Sequence, residues 1–252
     1  MIMKTLPFDI LLYIIDFLAS GYPEWKKTLG YLSQACKSMV PLCRKHIFSS
    51  LHLFAADSNS VRFSNLLSKN PDIARYVTSL IYRVYNIPST DDLNILDMLK
   101  KRSSLRSIYL CSSFDWNELT ESIRSSLVSL IQLPTVTSLS IDSIDGFPAM
   151  ALSGCGSLID LQFAELNLAP PEANQVISRS KMPAPVSLHI DIATFGLVDL
   201  LNPASLHAGG PIVDFSRLQK AEFRVKSRGE IDQVNELIKV TTRLECIKID
   251  GE

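Results

Sequence analysis

A short apolar pattern, hydrophobic-x-x-hydrophobic-x-hydrophobic, recurs down most of this 252-residue chain. It reads Val77-x-x-Leu80-x-Tyr82, Leu105-x-x-Ile108-x-Leu110, Val136-x-x-Leu139-x-Ile141 and Leu158-x-x-Leu161-x-Phe163. It returns as Leu218-x-x-Ala221-x-Phe223 and Leu244-x-x-Ile247-x-Ile249, and with a leading proline as Pro185-x-x-Leu188-x-Ile190. Successive starts lie 28, 31, 22, 27, 33 and 26 residues apart. Self-similarity at such a period points to one strand-containing unit stacked on its neighbours.

Helix signals stand between the strands. Ser89 with Asp92 forms a capping-box pattern ahead of Leu93, Leu96 and Leu99. Asp115 with Glu118 introduces Leu119, Ile123, Leu127 and Leu130; Ser227 with Glu230 introduces Ile231, Val234 and Ile238; Pro170-Pro171-Glu172 starts a shorter helix. Strand and helix in alternation predict an α/β fold with a parallel sheet, here a curved β/α solenoid.

The N-terminal stretch is different. Pro7 suits a first helical turn, and Asp9 suits the positive helix N-terminus. Ile10, Leu11, Ile14, Phe17 and Leu18 form one helical stripe, with Leu12 and Ile15 outside it. A helix this apolar needs partners on more than one side. A second helix is predicted from about Trp25 to Met39, interrupted by Pro41, and a short helical or extended segment runs from Leu42 to Leu53. Asp9 and Asp16 break the apolar run, which excludes a signal peptide or a membrane span.

Leu6-Pro7-x-Asp9-Ile10-Leu11-x-x-Ile14-x-x-Phe17-Leu18, then Leu32-Ser33-Gln34-Ala35-Cys36-Lys37, then Arg44-x-x-Ile47-Phe48, resembles an F-box. Met39 stands where that family often has an aromatic residue, and the loop Ala19 to Lys27 is longer than usual. The repeats resemble leucine-rich repeats in part. The Asn or Cys usual after each strand is absent, with Tyr85, Ser113, Ile144, Leu166, Ala193 and Lys226 in its place. The combination resembles fungal F-box proteins, with an F-box over residues 1–53 and an irregular leucine-rich-repeat-like solenoid over 54–252.

The resemblance implies a non-catalytic substrate receptor of a cullin–RING ubiquitin ligase, acting in the cytoplasm or nucleus. A Skp-type adaptor would meet Leu6, Pro7, Ile10, Leu11, Ile14, Leu32, Cys36 and Lys37 and link the chain to cullin and RING subunits. The solenoid would hold a protein substrate whose identity the sequence does not carry. The alternative is an interaction scaffold outside any ligase.

Period-two alternation leaves a second, polar strand face that varies from strand to strand. Arg83, Tyr109, Asp142, Gln162, His189, Asp191, Glu222 and Arg224 on it are the candidate substrate contacts. Ser187, His189 and Asp191 mimic a catalytic set, but neighbours on one strand face stand roughly 6–7 Å apart, beyond hydrogen-bond reach. His46, His52, His189 and His207 have no metal-ligand spacing, and no cofactor is expected. Gly154-Cys155-Gly156 lacks the further glycines of a phosphate loop and reads as a turn. Lys100-Lys101-Arg102 complements a helix C-terminus, and Trp25 and Trp116 have no stacking array around them, so neither nucleic acid nor membrane is expected as a partner.

Net charge is −1 overall, whereas residues 1–50 carry +3 from six Lys and Arg against three Asp and Glu, which hints at an acidic partner. Five cysteines without a C-x-x-C pair read as reduced thiols. Only Gly251 and Glu252 follow the last repeat, so an exposed apolar edge, a truncated chain or a covering partner is expected there.

Overall fold

The computed structural model describes residues 7–21, 24–35, 37–169, 182–191, 212–225 and 228–251. The predicted helix at Pro170-Pro171-Glu172 lies outside them, as do Ser227, Ala193, Lys226 and His207.

Pro7 precedes α1 (Phe8–Gly21), and its carbonyl accepts the amides of Ile10 at 3.1 Å and Leu11 at 3.2 Å. The second predicted helix is shorter than expected: α2 (Trp25–Ala35) ends before a 3-10 turn at Lys37–Met39. Pro41 does not interrupt a helix but sits in the first turn of α3 (Val40–Ile47), where its missing N–H costs nothing. These three helices share a small core of Ile15, Leu29 and Cys43, one residue from each, walled by Leu18, Trp25, Leu32 and Ile47. His46 Nε2 lies 2.8 Å from Asp16 Oδ1 and links α3 to α1.

The chain then builds an eight-stranded sheet. Its strands are β1 (Ser50–Phe54), β2 (Ser79–Val84), β3 (Ser107–Ser112), β4 (Ser138–Asp142), β6 (Asp160–Ala164), β8 (Ser187–Asp191), β9 (Lys220–Val225) and β10 (Cys246–Gly251), in that lateral order. Every pairing is parallel, and one transverse row runs Ser50, Ser79, Ser107, Ser138, Asp160, Ser187, Lys220, Cys246. Constant register sends Leu53, Leu80, Tyr82, Ile108, Leu110, Leu139, Ile141, Leu161, Phe163, Leu188, Ile190, Ala221 and Phe223 to one buried face.

That face packs against α4 (Ser58–Lys69), α5 (Thr90–Arg102), α6 (Glu121–Ile131) and α7 (Arg228–Val240), through residues such as Leu67, Leu96, Leu127 and Leu237. Ile247 and Ile249 were expected to join this core and do not: both are exposed on β10, whose far edge has no strand beside it among the described residues.

The α/β class and the parallel sheet with interspersed helices agree with the sequence reading. The curved, leucine-rich-repeat-like solenoid behind an F-box does not, because the sheet is not curled. A solenoid curves when every repeat backs a narrow strand with the same broader element. Here α-helices follow β1, β2, β3 and β9, whereas β4 is followed by β5 (Phe147–Pro148) and a 3-10 segment at Ala149–Gly154. Strand β5 pairs with β7 (Leu168–Ala169) in a second small parallel sheet. The backing layer therefore differs in width from one connection to the next.

Local chemistry explains the elements. Ser89 and Asp92 close the predicted capping box at the start of α5. Asp115 caps the 3-10 turn Trp116–Glu118 rather than a long helix, and α6 starts after Thr120. Gly146 has φ +67°, and a Cβ there would meet Asp115 Oδ1 at 3.0 Å, so this turn requires glycine.

Candidate interaction surfaces

Helix α1 carries two apolar faces. Ile15 points into the three-helix core, with Leu11, Leu12 and Leu18 half-buried around it. On the other side Ile10, Tyr13, Ile14 and Phe17, at i, i+3, i+4 and i+7, are 45%, 72%, 39% and 60% exposed. The single stripe read from the sequence is therefore split between core and surface, and its buried anchor is a residue that reading left outside it.

The proposed adaptor contacts divide accordingly. Pro7, Ile10, Ile14 and Lys37 are exposed, Leu11 and Leu32 are half-buried, and Leu6 and Cys36 lie outside the described residues. Sequence reasoning missed Phe8, Tyr13 and, on α2, Tyr31, which add to the exposed apolar surface. Their signal was present: apolar residues occupy all sides of α1 apart from the strip of Asp9, Asp16 and Ser20.

The second surface is the sheet face opposite the helices, where the eight proposed substrate contacts all project. Parallel register joins many of them in pairs across strands. At the β8–β10 end, His189 Nδ1 is 3.4 Å from Glu222 Oε2, and Lys248 Nζ reaches both Glu222 and Asp250 at 2.7 Å. Arg224 donates to Asp191 at 2.8 Å. Hydrogen bonds from Lys248 lower the Glu222 pKa, and those to Asp250 and then Glu222 raise the Lys248 ammonium to about 12. His189, Glu222 and Lys248 line a shallow depression of about 480 Å³ with Gln162, Ser187 and Lys220. His189 and Asp191 are thus each engaged by a residue of β9, Glu222 and Arg224.

The β1–β4 end is arranged otherwise. The Arg83 guanidinium lies 5.6 Å from the ring centre of Phe54 and 5.8 Å from that of Tyr109. The Tyr109 hydroxyl donates to Asp142 at 2.5 Å. Burial, then that hydrogen bond and the Asp142 charge, raise the Tyr109 pKa, so it stays a donor. A groove of about 440 Å³ runs across these strands, lined by Arg83, Tyr109, Gln162 and the hydroxyl-bearing Ser79, Ser107, Ser138 and Ser140. Phe54, which contacts Arg83, and Tyr85, which contacts Phe54, stand exposed beside it. The sequence reading missed β1 as a strand, and with it His52 and Phe54, although Leu51 and Leu53 alternate as a strand should.

Among the described residues no cluster of His, Cys, Asp and Glu could hold a metal ion, and no helix is long and apolar enough to cross a membrane. The Gly154 turn packs on Gln132, whose amide donates to the Ala151 carbonyl at 2.9 Å.

Comparison with protein-family models, with curated proteins and with solved structures finds no match. The uncurled sheet overturns the resemblance to fungal F-box proteins with a curved leucine-rich-repeat-like solenoid.

Proposed function

We propose that the chain is a non-catalytic bridging subunit that holds two proteins at once. Its three-helix N-terminal part, through α3 (Val40–Ile47), takes an adaptor on the outer face of α1. Its sheet part, from β1 (Ser50–Phe54) onward, takes a second protein on the open face of the sheet. The assembly it serves is a cullin–RING ubiquitin ligase of the cytoplasm or nucleus, with a Skp-type adaptor at the helical end. Such a subunit acts by proximity: it raises the effective concentration of one partner near the other and breaks no bond itself.

The observation that carries this reading is the outer stripe Ile10, Tyr13, Ile14 and Phe17, which no described part of the chain covers. A contiguous apolar helix face is costly in water and marks a protein contact. An amphipathic helix laid in a partner's groove is read through anchors at this spacing.

Co-expression with a Skp-type adaptor tests the proposal. Wild type co-purifies with it, and Ile10→Glu/Phe17→Glu, a folded variant, does not. Failure of wild type to capture the adaptor overturns the ligase setting. Capture without ubiquitin transfer to any protein held on the sheet assigns the chain to a scaffold outside a ligase.

A further inference from the structure

We infer that the β1–β3 end of the open sheet face, around Arg83 held between Phe54 and Tyr109, docks an acidic segment of the second protein. This rests on the bridging reading and names the chemistry of that partner.

Arg83 is a cation held in place but left without a counter-charge. Phe54 and Tyr109 fix its guanidinium from two sides, at 5.6 and 5.8 Å. Stacking of this kind leaves the N–H edges of the fork free to bond a carboxylate. Among the described residues no carboxylate pairs with Arg83 or with Lys26, which lies over the Trp25 ring at 5.4 Å. At the β8–β10 end, by contrast, Glu222, Lys248, Asp250, Asp191 and Arg224 engage one another. Among the described residues Lys220 is also unpaired on that end of the face. The aromatic-held guanidinium without an ion pair, however, belongs to the β1–β3 end, where the nearest carboxylate along the row, Asp142, accepts from Tyr109.

His52 projects from the same sheet face as Arg83, its cross-strand partner Ile81 standing two residues before Arg83. Burial, and then the charges of Lys26 and Arg83, lower the His52 pKa from its ordinary value. Lys26 comes from α2 and His52 from β1, so positive charge of the helical module acts on this end of the sheet. The N-terminal charge of +3 over residues 1–50 adds to the field there.

From Arg83 the groove of about 440 Å³ continues past Tyr109 to Ser138 and Ser140. Serine hydroxyls along its floor can donate to carboxylates or main-chain carbonyls of an extended segment. Phe54 and Tyr85, with ring centres 6.5 Å apart, flank the entrance and would cover the aliphatic parts of the same segment.

The test is fluorescence anisotropy with a fluorescein-labelled peptide of alternating Glu and Gly on the full chain. Wild type binds it, more weakly as salt rises. Arg83→Gln weakens binding by about tenfold or more, and Lys26→Gln, a surface change, weakens it independently if Arg83→Gln misfolds. Lys100→Gln, on the end of α5 with an equal loss of charge, leaves binding unchanged. Arg83→Gln still captures the adaptor, so failure here and failure of the bridging reading are distinguishable. No binding by wild type, equal binding of a Gln-Gly peptide, or indifference to both patch variants overturns the inference. Binding confined to a phosphoserine-Gly peptide overturns its choice of carboxylate.

Discussion

Ile15 and Phe17 stand two residues apart on α1 and carry opposite roles, so truncating each in turn separates the helix's two faces. Ile15 is fully buried and supplies one of the three residues at the centre of the helical core. Ile15→Ala removes those contacts from a core with little room to compensate, at a cost of about 2–4 kcal/mol. Phe17 is 60% exposed in the folded chain. It keeps about two-fifths of the ~1.5–3 kcal/mol that full burial provides, so Phe17→Ser costs about 0.6–1.2 kcal/mol. Urea unfolding followed by far-ultraviolet circular dichroism and tryptophan fluorescence reads both, because Trp25 packs on the helical core and Trp116 is buried in the main one. The expected order is a large midpoint shift for Ile15→Ala and a small one for Phe17→Ser at unchanged slope. Equal shifts would refute the assignment of the outer stripe to the surface.

Three further outcomes follow from single residues. Buried Asp92 accepts from the Ser89 amide at 2.7 Å, the Ser89 hydroxyl at 2.8 Å and the Ala56 amide at 3.0 Å. Asp92→Ala removes a cap and strands a donor, and calorimetry should show a loss of about 2–4 kcal/mol. His52 has a pKa lowered from its ordinary 6.5, so the folded state binds fewer protons than the unfolded chain. Its contribution to stability is therefore present above that value and is lost as pH falls through it, and His52→Gln should flatten this part of a denaturation-versus-pH curve. Among the described cysteines Cys246 alone is exposed, and burial pushes the Cys155 thiol up to about 12. Maleimide labelling of the native chain should therefore modify Cys246 well ahead of Cys43, Cys111 and Cys155, as mass spectrometry of digests would show.

The sheet was legible in the sequence wherever one strand face had to be apolar. Leu80/Tyr82 and Leu139/Ile141 alternate because one side of each strand meets the helices and the other meets water. β1 escaped because its Leu51 and Leu53 follow a helical stretch without a turn signal between them. The curl was misread for a different reason. It depends on the relative widths of the layers on the two sides of a sheet, which the spacing of strands in a sequence does not report. The capping box at Ser89 and Asp92 was readable because both partners are local, whereas Asp115 serves a turn that depends on Gly146, thirty-one positions on.

At the candidate surfaces, residue types were legible and partnerships were not. The polar strand face could be enumerated from alternation alone. That Arg224 is spent on Asp191 while Arg83 is stacked and unpaired is set by parallel register and by Phe54 on a neighbouring strand. The face of α1 that meets the core was ambiguous for a related reason. With apolar residues on nearly all sides, periodicity has several solutions, and packing against Leu29 and Cys43 chooses the one centred on Ile15.

The central claim is that two separate surfaces bind two separate proteins. Titration of a purified Skp-type adaptor into wild type, Ile10→Glu/Phe17→Glu and Arg83→Gln, with Kd measured by calorimetry, tests it most directly. Wild type and Arg83→Gln should bind with the same Kd, and the α1 variant should not bind. Absence of binding by wild type, or equal binding by the α1 variant, would contradict it.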